Sequence, residues 1–358
     1  MSTQHRASRR RLATVAAVLF GSAALAAQTS QGTGSGPKPD ARLTLAPPKP
    51  AAPAKRGWTP PRTPWGDPDL QGAYTNKDEN GIPMERPSQF QGKTIDQVQQ
   101  SELADIVRQR QQDATERAPG IGGAETGAGP VHWYEYYGAR NSRPWLIVDP
   151  ADGRIPSLTP DAQQRAAALG AARSGRGESD SPEDRSLYDR CITRGVPGSM
   201  MPAIYGNSYQ IVQGPGFVAI RYEMIHETRV IPLDGRPHVD KDIRLYMGDP
   251  RGHWEGTTLV VETTNFNGRM SADIVGYGSP DRGASDQLRI VERFRPVSPT
   301  SVEWSVTLDD SHTWTRPWTF AMNLTKDDTQ PVYEYGCHEG NYGLSNILSA
   351  ARAEEKGQ

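Results

Sequence analysis

The sequence predicts a mainly β protein, an antiparallel β-barrel with a helical N-terminal arm. From about Tyr209 onward, apolar residues recur with a period of two, as they do on strands that bury one face. Short segments of this kind follow one another with turn signals between them, which is typical of an up-and-down barrel or a sandwich. The chain of 358 residues also contains 36 glycines and 30 prolines, which favours many turns over a helical bundle.

The amino terminus predicts an exported precursor. A basic stretch with Arg9, Arg10 and Arg11 precedes an uncharged apolar run over residues 12–27, which is too short to span a bilayer comfortably. Ala24 and Ala26 fit an A-x-A cleavage site, so residues 1–26 are predicted to be a signal peptide. The arginines also resemble a twin-arginine signal, which leaves both the Sec and the Tat route open. An uncleaved membrane anchor is the alternative.

Residues 27–57 are predicted to be a disordered linker, and the folded region is predicted to begin near Trp58. The linker is rich in proline and alanine and contains almost no large apolar side chain that could offset its ordering entropy. The formal net charge of −2 gives no electrostatic reason to expect a nucleic acid or an anionic membrane as partner. The mature protein is expected to have no membrane span, and the sequence does not indicate its oligomeric state.

Helix signals are confined to the predicted arm, residues 58–190. Thr94 and Gln97 form a capping-box pattern, followed by an apolar stripe that predicts a helix to about Gln112. A second helix is predicted from Thr159-Pro160 to about Ala172, because a cap residue precedes proline at the first helical position. Residues 181–184 indicate a third, short helix. The glycine-rich stretch 120–129 is interpreted as a loop without the context of a phosphate-binding turn.

The barrel is predicted over residues 191–350, followed by a flexible tail at 351–358. The longest alternating segment is 216–230, in which an apolar face that includes Val218 and Val230 lies opposite a charged face that includes Arg221 and Arg229. Turn signals stand at 234–235 (Asp-Gly), 267–268 (Asn-Gly) and 298–299 (Ser-Pro), and the first two are strong hairpin signals. The other predicted strands are 257–264, 287–294, 301–308, 314–324 and 332–337.

Several predicted strand faces combine polar and apolar side chains. A buried charge is costly unless it is paired, so polar groups that converge inside a barrel indicate either an ion-pair network or a ligand site. Glu292 and Arg316 are the two charged groups in question, and one interpretation is that they simply pair with each other. The residues that would line an aromatic pocket are Tyr222, His226, Glu292, Trp314, Arg316 and Trp318.

A second group of polar residues follows the last predicted strand, where a barrel would have its mouth. These residues are His338, Glu339, Asn341 and Tyr342. His338 and Glu339 suit acid–base chemistry, and the alternative is a closing turn with a hydrogen-bonded histidine. Cys191 and Cys337 are the two cysteines, and an oxidising compartment predicts a disulfide between them. The alternative is a nucleophilic Cys337 beside His338.

Metal and cofactor signals are absent from the sequence. Five histidines fall in the barrel region, but no pair has a recognised ligand spacing, so no metal is predicted. The sequence has no G-x-S-x-G, H-E-x-x-H, Walker or dinucleotide motif. No cofactor is therefore expected, and the enzyme classes that those motifs identify are disfavoured.

Four strings of residues resemble those of a family of exported bacterial proteins. They are WTPPRTPWGDPDLQG at 58–72, LDGRPH at 233–238, GHWEG at 252–256 and CHEGNY at 337–342. The resemblance covers most of the mature chain and implies export, without an activity or functional residues. Gly252-His253-Trp254 also resembles the glycine-x-tryptophan motif of lipocalin-like barrels, which implies a similar architecture only.

The leading hypothesis is an exported barrel that acts on a small organic molecule by cofactor-independent acid–base chemistry, as an isomerase, lyase or hydrolase. His226 or His338 would move a proton, and Glu292 or Glu339 would assist it. Arg316 would hold an oxygen of the substrate while Tyr222 donates a hydrogen bond. One alternative is a carrier that only binds its ligand. Another is an envelope interaction protein with an aromatic docking surface made of Trp133, Tyr134, Tyr136 and Tyr137.

Overall fold

The structure is a computed structural model that describes residues 58–116, 141–177, 179–203, 205–269, 284–329 and 331–357. The predicted signal peptide, the linker, the glycine-rich loop and the aromatic residues 133–137 lie outside the described residues. The described strands are β1 Gly72–Thr75, β2 Ile147–Asp149, β3 Ser208–Gly214, β4 Phe217–Tyr222, β5 Thr228–Pro232, β6 Asp249–Glu255, β7 Thr258–Thr264, β8 Arg289–Ser298, β9 Ser301–Asp309 and β10 Trp318–Lys326. The α-helices are α1 Gln100–Glu116, α2 Pro160–Ala172 and α3 Tyr342–Gly357.

Nine of these strands form a nearly closed antiparallel barrel in the order β5-β4-β3-β1-β10-β9-β8-β7-β6. The short strand β2 pairs with β10 beside this path. The predicted mainly β barrel is therefore confirmed. Strands β1 and β2 come from the segment that the sequence assigned to the arm, so the sheet starts well before residue 191.

The open seam of the barrel lies between β5 and β6, which stand at the two ends of the strand order. Gly252 in β6 lies against the side chains at the end of β5. A Cβ atom at Gly252 would be 2.8 Å from Ile231 Cγ2 and 2.6 Å from Leu233 Cδ2. The seam is therefore closed by side-chain packing, and this packing has no room for a larger residue at position 252.

Two-residue loops join three pairs of strands that follow each other in the chain. The pairs are β3 and β4, β6 and β7, and β8 and β9, and the loops are residues 215–216, 256–257 and 299–300. Only the last coincides with a predicted turn, the Ser-Pro pair at 298–299. The hairpin expected at Asp234-Gly235 is wrong, because this pair opens the long segment between β5 and β6, which do not pair with each other. Asn267-Gly268 lies between β7 and β8, which do pair, but it forms no two-residue hairpin, because β7 ends at Thr264 and β8 begins only at Arg289.

The predicted strand 216–230 is broken in the structure. Strand β4 ends at Tyr222, a 3-10 turn follows over Met224–His226, and β5 begins at Thr228. The turn changes which residues face inward, so Arg229 is 4% exposed whereas Val230 is 55% exposed. The prediction that odd-numbered residues such as Arg229 face outward is therefore wrong beyond the turn.

Two other predicted strands also differ from the structure. Residues 332–337 form no strand, and the strand predicted over 314–324 begins only at Trp318. The predicted helix after Thr94 is two elements, a 3-10 turn over Ile95–Gln97 and then α1. The helix predicted at Pro160–Ala172 is confirmed, with Thr159 Oγ1 accepting a hydrogen bond from the Ala162 amide at 3.1 Å. Helix α3 was not predicted.

The Cys191–Cys337 disulfide is confirmed, and it joins residues 146 positions apart in the sequence. Cys191 lies in the loop that precedes β3, and Cys337 lies between β10 and α3. The bond therefore fixes the segment after the last strand to the loop before the third strand. Among the described residues, no helix is long and apolar enough to cross a membrane.

Candidate functional site

The first group of polar residues is the interior cluster, which consists of Tyr222, Arg229, Glu292 and Trp304. Glu292 Oε2 is 2.6 Å from Arg229 Nη2, and Glu292 Oε1 accepts a hydrogen bond of 3.1 Å from Trp304 Nε1. Every member of the cluster is at most 4% exposed. The ion pair crosses the inside of the barrel, because β5 carries Arg229 at one side of the seam and β8 carries Glu292 beyond the other side.

The surroundings of the interior cluster are apolar. Directly opposite Glu292 on its two neighbouring strands lie Val261 and Val306, both fully buried. Burial also raises the pKa of Tyr222, so its phenol is neutral and able to donate at ordinary pH. The Nε and Nη1 atoms of Arg229 have no hydrogen-bond partner among the described residues. Separating these charges would leave one of them buried and unpaired, so the pair constrains how the barrel closes.

The predicted Glu292–Arg316 pair is wrong. Arg316 Nη2 instead contacts Asp149 Oδ1 at 3.1 Å, and both side chains are largely exposed. Because β10 begins only at Trp318, Arg316 lies in the bend before the strand and is not held on its inward face. Trp314 and Trp318 are buried against each other, with ring centroids 5.6 Å apart, and form part of the hydrophobic core.

The second group of polar residues surrounds a solvent-facing cleft of about 350 Å³ at one end of the barrel. We call it the tyrosine cleft, since three tyrosines line it. It lies where β3 begins and β4 ends: Tyr335 N donates to Glu223 O at 3.3 Å, and Glu223 N donates to Ser208 O at 3.0 Å. Its lining includes the side chains of Tyr188, Asp189, Tyr205, Tyr335, Glu339 and Asn341, together with the Cys191–Cys337 disulfide.

The three phenols of the cleft interact with one another. The rings of Tyr205 and Tyr335 are stacked with centroids 6.1 Å apart, and the hydroxyl of Tyr205 shares hydrogen bonds with those of Tyr188 and Tyr335. Burial, followed by the interactions with Tyr205, raises the pKa of Tyr335 to about 12, and burial also raises the pKa of Tyr188. Both phenols are therefore neutral near pH 7 and present polar hydroxyls on flat aromatic rings.

His226 lies next to the cleft, in the turn that breaks the predicted strand. Its Nδ1 is 3.0 Å from Tyr335 O, and because a carbonyl only accepts, Nδ1 carries the proton and the neutral ring keeps its lone pair on Nε2. Ile225 and His226 have φ angles of 61° and 47°, a left-handed conformation that is unfavourable for non-glycine residues, above all for a β-branched one. Turn geometry that is unfavourable by itself thus positions this histidine.

The remaining predicted residues also lie at this end of the barrel. The rings of His226 and His338 have centroids 6.3 Å apart, and His338 is exposed. Glu339 and Asn341 line the cleft, and Asn341 Nδ2 donates to Asp189 O at 3.4 Å. Tyr342 does not join them, because it is 73% exposed at the start of α3.

The structure therefore divides the predicted site between two places. Tyr222, Glu292, Trp314 and Trp318 are buried in the barrel, whereas His226, His338, Glu339 and Asn341 lie at or beside the cleft. The sequence analysis missed Arg229, Tyr188, Tyr205 and Tyr335. The three tyrosines stand on separate loops, and no spacing rule brings such residues together. In the part of the chain that the structure describes, no group of three or more His, Cys, Asp or Glu residues is placed to hold a metal ion.

No protein-family model, curated protein or solved structure matches this chain. Its function is therefore inferred from the two polar groups and from the barrel that carries them. A nearly closed β-barrel with a buried aromatic cluster is an architecture that suits ligand binding.

Proposed function

We propose that this protein is an exported β-barrel that binds a small polar organic molecule in the tyrosine cleft. The observation that carries the proposal is the convergence of three phenols, from Tyr188, Tyr205 and Tyr335, in a cleft of about 350 Å³. This volume falls in the range of small-molecule sites. Neutral phenols offer both hydrogen bonds and flat apolar surface, so they suit a ligand that has both kinds of group.

The contrast with the interior cluster supports this choice of site. Arg229 and Glu292 already contact each other inside a packed core of large aromatic side chains. A ligand that entered there would have to separate a buried ion pair, which is strongly unfavourable. The cleft faces solvent, so a ligand reaches it without disturbing the barrel.

Export is part of the proposal. It is supported by the basic and apolar pattern of residues 1–26, by the resemblance to exported bacterial proteins, and by the Cys191–Cys337 disulfide. Disulfides persist in the periplasm and outside the cell and are rare in the cytoplasm. The protein is therefore proposed to meet its ligand in the periplasm or after secretion.

Acid–base turnover of the bound molecule is the second candidate function. It is favoured by His226, because the hydrogen bond to Tyr335 O leaves Nε2 as the proton acceptor and the strained turn fixes the ring. His338 and Glu339 are further groups that exchange protons at this end of the barrel. Isomerisation, elimination and hydrolysis are reactions that such groups catalyse without a redox cofactor. Glu292 is not part of this proposal because Arg229 holds it in the core.

A thermal-shift screen with neutral, cationic and anionic metabolites tests binding. Ligands of the cleft are expected to raise the melting temperature of the wild type and to lose most of that effect in Tyr335→Leu, which lacks both the ring and its hydroxyl. Tyr333→Leu is the matched control, because Tyr333 lies two residues away and is 65% exposed. Ligands that stabilise wild type and Tyr335→Leu equally would contradict binding in the cleft.

Turnover is tested by incubating a confirmed ligand with the protein and following the ligand by NMR. Conversion that is lost in His226→Asn, while binding is retained, supports acid–base chemistry. Recovery of the unchanged ligand after long incubation supports the carrier. Asparagine is the suitable replacement because its amide donates to Tyr335 O and tolerates a left-handed backbone.

A further inference from the structure

The charges that line the tyrosine cleft are all negative. Asp189 and Glu339 contribute two carboxylates, and no lysine, arginine or histidine lines the cleft within the part of the chain that the structure describes. A cleft lined by negative charge attracts cations and repels anions.

The two carboxylates differ in how far they are already neutralised. Asp189 Oδ2 lies 3.3 Å from Arg185 Nη2, so part of its charge is compensated. Glu339 differs, because it is exposed and no cationic side chain lines the cleft beside it among the described residues. Glu339 is therefore the carboxylate available to a ligand.

The aromatic rings of the cleft have the same electrostatic preference. The face of an aromatic ring carries negative charge density and attracts ammonium and guanidinium groups. The molecule contains an example at this place, because the Arg194 guanidinium lies 5.4 Å from the centroid of the Tyr188 ring. Tyr205 and Tyr335 are stacked on each other nearby, so the faces of their rings add to the attraction.

Two features of the cleft oppose this preference. The Arg194 guanidinium over Tyr188 already occupies the face of one ring and adds a positive charge beside the cleft, so the rings of Tyr205 and Tyr335 remain for a ligand. Helix α3 begins at Tyr342, and the amino end of a helix carries partial positive charge that favours anions. Asn341 Oδ1 accepts a hydrogen bond of 3.5 Å from the Leu344 amide, which partly satisfies that end. A full negative charge on Glu339, two residues before Asn341, outweighs the remaining fractional charge of the helix.

We propose that the ligand of the tyrosine cleft is a small organic cation, such as a protonated or quaternary amine. The cation would lie between the rings of Tyr205 and Tyr335 and the carboxylate of Glu339. This proposal rests on the proposed function, because it names the class of ligand for the same cleft. Aromatic rings that surround a quaternary ammonium group are a recurrent solution to this recognition problem.

Choline chloride and 3,3-dimethyl-1-butanol are the probes, since the second is the uncharged carbon isostere of the first. Both are titrated into the purified full chain at low ionic strength and followed by isothermal calorimetry. We expect choline to bind at least fivefold more tightly than the alcohol, because only the charge distinguishes them. Raising the salt concentration should weaken choline binding and leave the alcohol unaffected.

Variants test which residues recognise the charge. Glu339→Gln should weaken choline binding at least threefold, and Tyr335→Leu should weaken it further because it removes a ring. Tyr335→Phe should retain choline binding, since phenylalanine keeps the aromatic face. Tyr333→Leu is the control and should bind as wild type does. Thermal denaturation of each variant confirms that it remains folded.

The outcomes separate this inference from the proposed function. Equal binding of choline and its isostere, or binding of 4-hydroxybenzoate in preference to choline, would overturn the organic cation and leave the cleft as a binding site. If choline, its isostere, 4-hydroxybenzoate and the metabolite panel all fail to bind, the proposed function itself is wrong. Unchanged affinity in both Glu339→Gln and Tyr335→Leu would also overturn the proposed recognition.

Discussion

The interior cluster and the tyrosine cleft both combine tyrosine with carboxylate, yet they differ in the partners of the carboxylate. In the interior, Glu292 contacts Arg229 and accepts a hydrogen bond from Trp304, all at most 4% exposed. In the cleft, Glu339 is exposed, and no cationic side chain lines the cleft beside it among the described residues. A polar group that finds its partner within the protein stabilises the fold, whereas one that faces a cleft is available to a ligand. The comparison therefore assigns stability to the interior and recognition to the barrel end.

The largest expected effect is on the interior ion pair. Arg229→Met or Glu292→Leu alone leaves one charge buried without its partner, and each should lower the free energy of unfolding by about 3–5 kcal/mol. The double variant should recover most of this loss, because it removes both charges and fills the space with apolar groups. Urea denaturation measures all three.

The double variant also tests whether the interior cluster only stabilises the fold or also takes part in ligand binding. If it regains stability and still binds the ligands of the cleft, the interior cluster is structural. Loss of ligand binding in a stable double variant would instead show that the interior takes part in ligand recognition.

The next largest effect is expected at the Cys191–Cys337 disulfide. This bond restrains the chain and also lines the tyrosine cleft. Replacing Cys191 and Cys337 by serine should lower the free energy of unfolding by about 2–4 kcal/mol, since the long loop between them gains freedom in the unfolded state. Ligand binding should weaken in native buffer as well, because Tyr335 and Glu339 lose their anchor. Stability and ligand affinity of the double serine variant check both effects, and unchanged affinity would show that the cleft is shaped without the bond.

Glu79 is a second buried carboxyl, and its hydrogen-bond partner is a hydroxyl instead of a charged group. Glu79 is 4% exposed and accepts a hydrogen bond of 2.6 Å from Ser142 Oγ, while the neighbouring Arg143 pairs with Glu303 at 3.3 Å. Burial raises the pKa of Glu79 from 4.5 to about 7. The folded protein thus retains a proton that the unfolded chain releases, so stability falls as the pH rises from about 4.5 to about 7.

Glu79→Gln should remove this pH dependence, because glutamine has a similar shape and does not titrate. The variant should be more stable than wild type at pH 8 by on the order of 2 kcal/mol, and the difference should vanish toward pH 4.5. Chemical denaturation at several pH values measures it. A constant difference across that range would show that Glu79 does not titrate as proposed.

The smallest effect on stability is expected in the cleft itself. Glu339→Gln should change the free energy of unfolding by less than about 0.5 kcal/mol, since Glu339 is exposed. Denaturation curves that overlay with wild type, together with weaker choline binding, are the expected result. A large loss of stability would make Glu339 structural, like the residues of the interior.

The fold was predictable to the extent that it depends on local pattern. Strands β7, β8 and β9 lie close to where alternating residues predicted them, and so does helix α2. The error in the strand at 216–230 arose because Ile225 and His226 adopt a left-handed turn in the middle of an alternating pattern. Alternation by itself does not show that a chain reverses, so the inward and outward assignments between the turn and the end of that predicted strand, at Val230, were inverted.

The site was predictable only in part, and for a similar reason. Glu292 was identified as a buried carboxylate, but Arg316 was predicted as its ion-pair partner. Arg229 was not considered because the alternating pattern assigned it to the outward face of its strand. Helix α3 was missed although Leu344, Ile347, Leu348 and Ala351 follow Asn341 with helical spacing. Attention to that spacing would have found the helix, whereas the meeting of Tyr188, Tyr205 and Tyr335 has no comparable signal.

The sequence by itself determined the class of fold, because the period of apolar residues and the abundance of turn-forming residues are local properties. It also determined the disulfide, because the chain has two cysteines and the amino terminus indicates export. Only the tertiary structure decided the Arg229–Glu292 pair and the tyrosine cleft. Each brings together residues from distant segments, and their meeting depends on the order of the strands, the closure of the seam and one turn that changes which side chains face inward.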